Sequence, residues 1–155
     1  MATSQPYART QRSLALLIAC GLAAAGMLAA ALLAPMSGAL PRAVLAAGGA
    51  VLAFTAFTFS RLRVRVEDGT LTVAFGAGWP ARRIPVAEIA SAEAARNRWW
   101  WGFGIRLTPQ GWMWNVYGLD AVQLVLEDGR RFRVGTADPS GLLAALQLPR
   151  APSGA

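Results

Sequence analysis

Arg61, Arg63 and Arg65, three arginines spaced two apart, are the residues of this sequence best placed to act on a partner. They alternate with Leu62, Val64 and Val66, so an extended chain sets all three guanidinium groups on one face and the aliphatic side chains on the other. Such a row recognises anions, and each arginine near an anionic membrane surface gains ~1 kcal/mol. A plainer role, a solvated strand face that also fixes membrane orientation, accounts for the same row. The second set is Arg96 and Arg98 followed by Trp99, Trp100 and Trp101. If that segment is extended, at least one indole must point outward. An exposed tryptophan beside arginine suits the headgroup level of a bilayer or a protein-binding hot spot.

Other chemistries are poorly supplied. The chain has no histidine and a single cysteine, Cys20, which removes Cys/His zinc sites, Ser/His/Asp triads, Cys/His pairs and any disulfide framework. Of the eight acidic residues, Asp68 and Asp128 belong to Asp-Gly turns and Asp138 reads as a helix cap. The remaining Glu67, Glu88, Glu93, Asp120 and Glu127 leave a carboxylate pair or a lone metal-binding acid open, and a membrane enzyme working through Glu88, Glu93 or Asp120 is a third reading, but nothing in the spacing raises it. The sequence therefore predicts no enzyme and no catalytic, cofactor-binding or metal-binding residues. All fifteen basic residues are arginine and the net charge is +7, but the arginines are scattered along alternating segments, which argues against nucleic acid as a partner.

These residues hang from a long apolar stretch. Leu14 to Ala34 is uncharged and holds seven leucines with Ile18 and Met27, enough to cross a hydrocarbon core of about 30 Å at ~1.5 Å rise per residue. Ala43 to Ser60 is also uncharged, carried by Val44, Leu45, Val51, Leu52, Phe54, Phe57 and Phe59, although Gly48, Gly49, Thr55 and Thr58 weaken it. Residues 14–60 thus read as a two-helix transmembrane hairpin connected through Pro35 to Arg42. Arg9 and Arg12 precede the first span, Arg42 alone lies in the connection, and Arg61, Arg63 and Arg65 follow the second. By the positive-inside rule both termini face the cytoplasm of a multi-pass protein in the cell membrane. A cleaved secretory signal competes with this reading, with small residues at Ser37-Gly38-Ala39. The apolar run is longer than the roughly 7 to 15 residues of a signal core.

Residues 1–13 read as a polar cytoplasmic tail, 61–148 as one domain and 149–155 as a disordered tail. Within the domain the period changes to two. Asp68-Gly69 joins Arg61–Val66 to Thr70–Phe75 as a hairpin, Arg82 to Pro85 makes a short edge piece, and Ile89 to Ala95 is an alanine-rich strand. Ile105 to Leu107, the turn Thr108-Pro109-Gln110-Gly111 and Trp112 to Tyr117 follow, with Trp112 and Trp114 expected side by side in the core. Ala121 to Leu126 turns at Asp128-Gly129 and returns through Val134. Asp138 as N-cap and Pro139 at the first helical position then open a helix whose apolar side is Leu142, Leu143 and Leu146 through Leu148, ended by Pro149. The expectation is seven or so antiparallel strands closed by one C-terminal helix.

Gly104-Ile105-Arg106, Thr108-Pro109, Gly111, Asn115-Val116, Gly118, Ala121-Val122, Gly129, Arg131, Arg133, Gly135-Thr136 and Asp138-Pro139, in this order and spacing, resemble the bacterial pleckstrin-homology-like domains found behind transmembrane hairpins in small membrane proteins. The resemblance covers about residues 61–148. It implies a membrane α-helical hairpin plus a mainly-β split barrel capped by one helix, a binding or assembly role, and no catalytic residues. Phosphoinositide-binding members use a basic loop between the first two strands, where this chain has the acidic Glu67-Asp68-Gly69, so that specificity is not implied. The expected function is a cytoplasmic binding or scaffold module at the membrane surface. The alternative is an accessory subunit of a larger membrane enzyme or transporter, packed through small residues around Ala24 and from Ala46 to Ala50. The expected partners are the lipid bilayer and another membrane or cytoplasmic protein, or a second copy of the chain.

Overall fold

A computed structural model describes residues 6–35 and 37–146. Strand β1, Tyr7–Arg12, comes first, followed by helices α1, Leu14–Leu33, and α2, Ala39–Phe59. Ser13 caps α1, its hydroxyl accepting from the Leu16 N–H at 3.3 Å. Both helices are long and apolar enough to cross a membrane, and only 11% of the most apolar window of each is buried, so neither is the covered core helix of a globular domain. They pack on each other through small residues. A Cβ on Gly49 would stand 2.9 Å from Leu28 Cγ and 3.1 Å from the Ala24 carbonyl oxygen. The small surfaces at Ala24 and Gly49 are thereby occupied within the hairpin.

The remaining strands are β2 (Arg61–Glu67), β3 (Thr70–Phe75), β4 (Ala81–Pro85), β5 (Ile89–Arg96), β6 (Gly104–Thr108), β7 (Gly111–Asn115), β8 (Asp120–Leu126) and β9 (Arg131–Gly135), and helix α3 (Pro139–Leu146) closes the chain. One sheet has the order β1-β2-β3-β4 and the other β5-β8-β9-β7-β6. The alternation at Arg61–Val66 and the two Asp-Gly turns are found as expected; Asp68 and Gly69 both take positive φ, 49° and 68°.

Helix α2 takes in Ala39–Arg42, which the sequence reading left in the connection, and the strands differ from that reading in three respects. Residues 7–12 are not a tail but an edge strand, antiparallel to β2 from Tyr7↔Val66 to Arg12↔Arg61. Only Tyr7 and Gln11 of that strand are buried, so its sequence carries almost no hydrophobic alternation. The strands are not all antiparallel either: β7 runs parallel to β9. The β8–β9 hairpin places β9 on the far side of β8 from β5, and the β6–β7 hairpin joins β9's free edge, so β7 pairs with the strand that already opposes β8. The sheets remain two separate hydrogen-bonded units among the described residues, with no closed barrel. The tail 149–155 lies outside the described residues.

The sheets cross. Arg82 of β4 lies 4.4 Å above the Phe132 ring near the start of β9, and Tyr7 of β1 reaches Thr136 just past its end, so β9 spans the first sheet from edge to edge. At the helix end of that sheet, Phe75 meets both Phe59 of α2 (5.2 Å between centroids) and Trp114 of β7 (5.4 Å). At the other end, beside the β2–β3 turn, the Val86 N–H donates to the Gly69 carbonyl and β5 begins. The second sheet therefore runs from β5, far from the helices, to β6, nearest them. Phe75, Phe132, Leu62, Leu71, Leu124, Leu142 and Leu146 fill the shared core.

Candidate functional site

Leu62, Val64 and Val66 are fully buried, which leaves Arg61, Arg63 and Arg65 on the outer face of the first sheet, as their spacing requires. The register brings neighbours that spacing alone does not identify. Arg12 lies opposite Arg61; Arg63 faces Thr10 and Ala74; Arg65 faces Thr72, which in turn faces Arg83. Directly opposed residues share a face, so five arginines from three strands stand together. The one acid in these rows is Glu67, at the end away from the helices. Arg63, Arg65 and Arg83 border a cleft of about 170 Å³ whose floor is Thr72, Ala74, Gly78 and Ala81.

The ion pairs among the described residues are Arg9 with Asp138 at 3.5 Å and Arg130 with Asp128 at 2.6 Å. None of the five outer-face arginines has a carboxylate within that reach. Like charges gathered without counter-charge repel and attract anions, and a guanidinium offers a planar fork of donors to phosphate or carboxylate. Small side chains on the floor let an anion approach the Thr72 hydroxyl. The lining offers guanidinium and hydroxyl donors, the groups that an anion accepts from.

The tryptophan triplet is not extended. Trp99–Trp101 forms a single 3₁₀ turn, which points its three rings in different directions. Trp99 and Trp100 are exposed and meet edge to face at 5.8 Å, and Arg98 lies 5.1 Å over the Trp100 ring. Trp101 instead roofs Arg133, whose guanidinium sits 5.2 Å from its ring. Arg133 is buried; its Nε donates to Gln123 Oε1 at 2.8 Å and an Nη to Asn97 Oδ1 at 3.3 Å. Burial lowers its pKa from the ordinary arginine range, and Glu93 acts against that shift. Trp101 therefore has a packing task, Trp99 and Trp100 remain as surface, and Arg96 lies opposite Asp120 at the end of β5.

Tryptophans 112 and 114 also part company. Trp114 enters the core against Phe75 and Phe132, whereas Trp112, on the same strand face, is half exposed. The acids do not assemble a centre: Glu93 faces Gln123, and the Glu88 carbonyl accepts from the Glu127 N–H. No group of three metal-ligating side chains occurs among the described residues.

Taken together, an apolar helical hairpin carries a two-sheet domain with a basic face that has no ion pair among the described residues. No protein-family model matches the chain, and no curated protein sequence matches it.

Proposed function

We propose that this chain is a two-span membrane protein that holds its domain on the cytoplasmic face and binds phosphate-bearing anions of the inner leaflet through the outer face of the first sheet. The observation that carries this reading is the convergence of Arg12, Arg61, Arg63, Arg65 and Arg83 on one face that begins where the helices end. The orientation is supported by the β1–β2 pair. The Ser13 N–H donates to the Ser60 carbonyl at 2.8 Å, so the entry of α1 and the exit of α2 lie side by side, and a spanning hairpin has its two outer ends on the same side. Retention of the first span has the same support, since cleavage near Ser37-Gly38-Ala39 would take Tyr7 and Gln11 out of the domain. A pleckstrin-homology-like identity is part of the proposal; the crossed sheets and the C-terminal helix against the core favour it, and the parallel β7–β9 pair is the departure.

The test uses the full chain in nanodiscs of zwitterionic or anionic lipid. A ligand that binds only the folded state raises the unfolding midpoint. The midpoint should be higher in anionic lipid, the gain should shrink with salt, and R63Q/R65Q/R83Q should abolish it. Equal midpoints in the two lipids would overturn the binding role. In cells, reporters after Ala155 and before Tyr7 should share the cytoplasmic side, with one in the connection between α1 and α2 outside.

A second reading, an accessory subunit of a larger membrane complex, draws on exposed Trp99 and Trp100 beside Arg98. It predicts a stoichiometric partner in mild detergent that W99A/W100A releases.

A further inference from the structure

The apolar face of the second sheet extends beyond the core it shares with the first. Ile105 pairs with Trp114 and Leu107 with Trp112, so all four stand on the core side of β6 and β7. Ile105 and Trp114 are packed, yet Leu107 is 70% exposed and Trp112 47%. This overhang lies at a definite corner. Strand β6 is the edge nearest the helices, and Trp112 sits near the start of β7, on the β4 side, where it lines a cleft of about 610 Å³ with Arg82, Arg130 and Arg131. Trp79 belongs to the same corner. It lies in the turn leading into β4 and is 70% exposed, and that turn is fastened to the helix end by the Gly76 N–H, which donates to the Arg61 carbonyl at 3.0 Å.

We infer that Trp79, Leu107 and Trp112 form an interfacial anchor that seats the domain in the lipid headgroup layer around the helices. The occupant is argued from continuity. The turn that carries Trp79 packs on the exit of α2, where the Gly76 N–H donates to the Arg61 carbonyl and a Cβ on Gly76 would stand 2.9 Å from the Thr58 carbonyl oxygen, so the overhang begins where the exposed apolar surface of the helices ends. Its composition suits that layer. Tryptophan settles at the headgroup level, where an apolar ring and a polar N–H are both satisfied, and arginines alongside meet lipid phosphates. A purely aqueous surroundings would leave two large indoles and a leucine hydrated at the one place where a membrane lies closest.

The inference rests on the two-span reading, and the experiment separates the two. Full-length protein is reconstituted in vesicles with or without lipid brominated near the headgroup end of its acyl chains, and tryptophan emission is compared for wild type, W79F, W112F and W99F. Bromolipid should quench wild type, and W79F and W112F should each remove roughly half of the quenchable emission while W99F leaves it intact. Unchanged quenching in W79F and W112F, with protein still integral to the vesicles, overturns the anchor alone; extraction by alkaline carbonate overturns the spans. A nitroxide on L107C in a C20A background gives an independent reading. Collisions dominated by oxygen support the anchor, and free access to an aqueous nickel reagent contradicts it.

Discussion

Truncating Tyr7 tests whether residues ahead of the first helix belong to the domain. Its ring is 9% exposed, lies opposite Val66 and joins the shared core, and its hydroxyl lies 3.3 Å from both Thr136 Oγ1 and the Asp138 carbonyl. Removing a buried aromatic ring costs ~3–5 kcal/mol, and edge placement puts Tyr7→Ala near the lower end. Tyr7→Phe loses only the hydroxyl, about 1 kcal/mol, because Thr136 Oγ1 keeps the Asp138 N–H at 3.1 Å. Arg9→Ala, on the same strand, breaks one exposed ion pair and should cost under about 1 kcal/mol. Against a domain stability of ~5–15 kcal/mol, the first change is severe and the other two mild. Urea unfolding of the full chain in nanodiscs, followed by tryptophan emission, gives all three numbers. Burial also raises the Tyr7 phenol pKa, so its stabilisation is complete below the ordinary phenol range and fades as pH rises through the folded value; Tyr7→Phe should lack that alkaline loss. If Tyr7→Ala unfolds with the wild-type midpoint, the β1–β2 pairing does not exist in the full chain, and the common placement of the helix ends loses its support.

Two further outcomes follow from local geometry. Gly49→Ala should destabilise the helix pair by ~1–3 kcal/mol, because its Cβ would press on Leu28 Cγ and the Ala24 backbone, whereas Gly48→Ala meets only the movable end of Met27; thermal unfolding of the hairpin in detergent should rank them in that order. Asp138 caps α3 by accepting from the Gly141 N–H at 2.9 Å and the Ser140 hydroxyl at 3.1 Å, which holds its pKa below the ordinary carboxylate value. Its stabilisation is present above that value and is lost as pH falls through the lowered one, so an acid titration of Asp138→Asn should show a flatter limb than wild type.

The elements that announce themselves in the sequence are those whose pattern and environment agree. Both helices, the β2–β3 and β8–β9 hairpins at Asp68-Gly69 and Asp128-Gly129, and α3 with its Asp138-Pro139 start are legible because period and turn chemistry point the same way. Strand β1 is hidden because an edge strand at a sheet margin needs few apolar residues; in Tyr7–Arg12 the sole apolar ring is Tyr7, and Gln11 is buried by polar bonds. With its amide oxygen turned inward, Gln11 accepts from the Thr136 and Ala137 N–H groups at 3.0 and 2.6 Å, a task that no spacing rule reveals. The basic face is half legible. The face shared by Arg61, Arg63 and Arg65 follows from alternation, but Arg12 and Arg83 join it only through pairings between strands. Trp79 is overlooked for a similar reason: nothing near it in sequence says that its turn lies beside the helices.

Because β1 and β2 are consecutive strands of one sheet separated in the chain by the entire helical hairpin, the order of synthesis constrains how the domain is finished. Strand β1 leaves the ribosome first and has no partner until both helices have been made and placed. A chain whose second helix fails to return to the starting side leaves β2 with a bare hydrogen-bonding edge and Leu62, Val64 and Val66 without Tyr7 beside them, a form open to aggregation and proteolysis. On the two-span reading proposed above, the finished sheet is thus a record, kept in backbone hydrogen bonds, that both helices were inserted in the right sense.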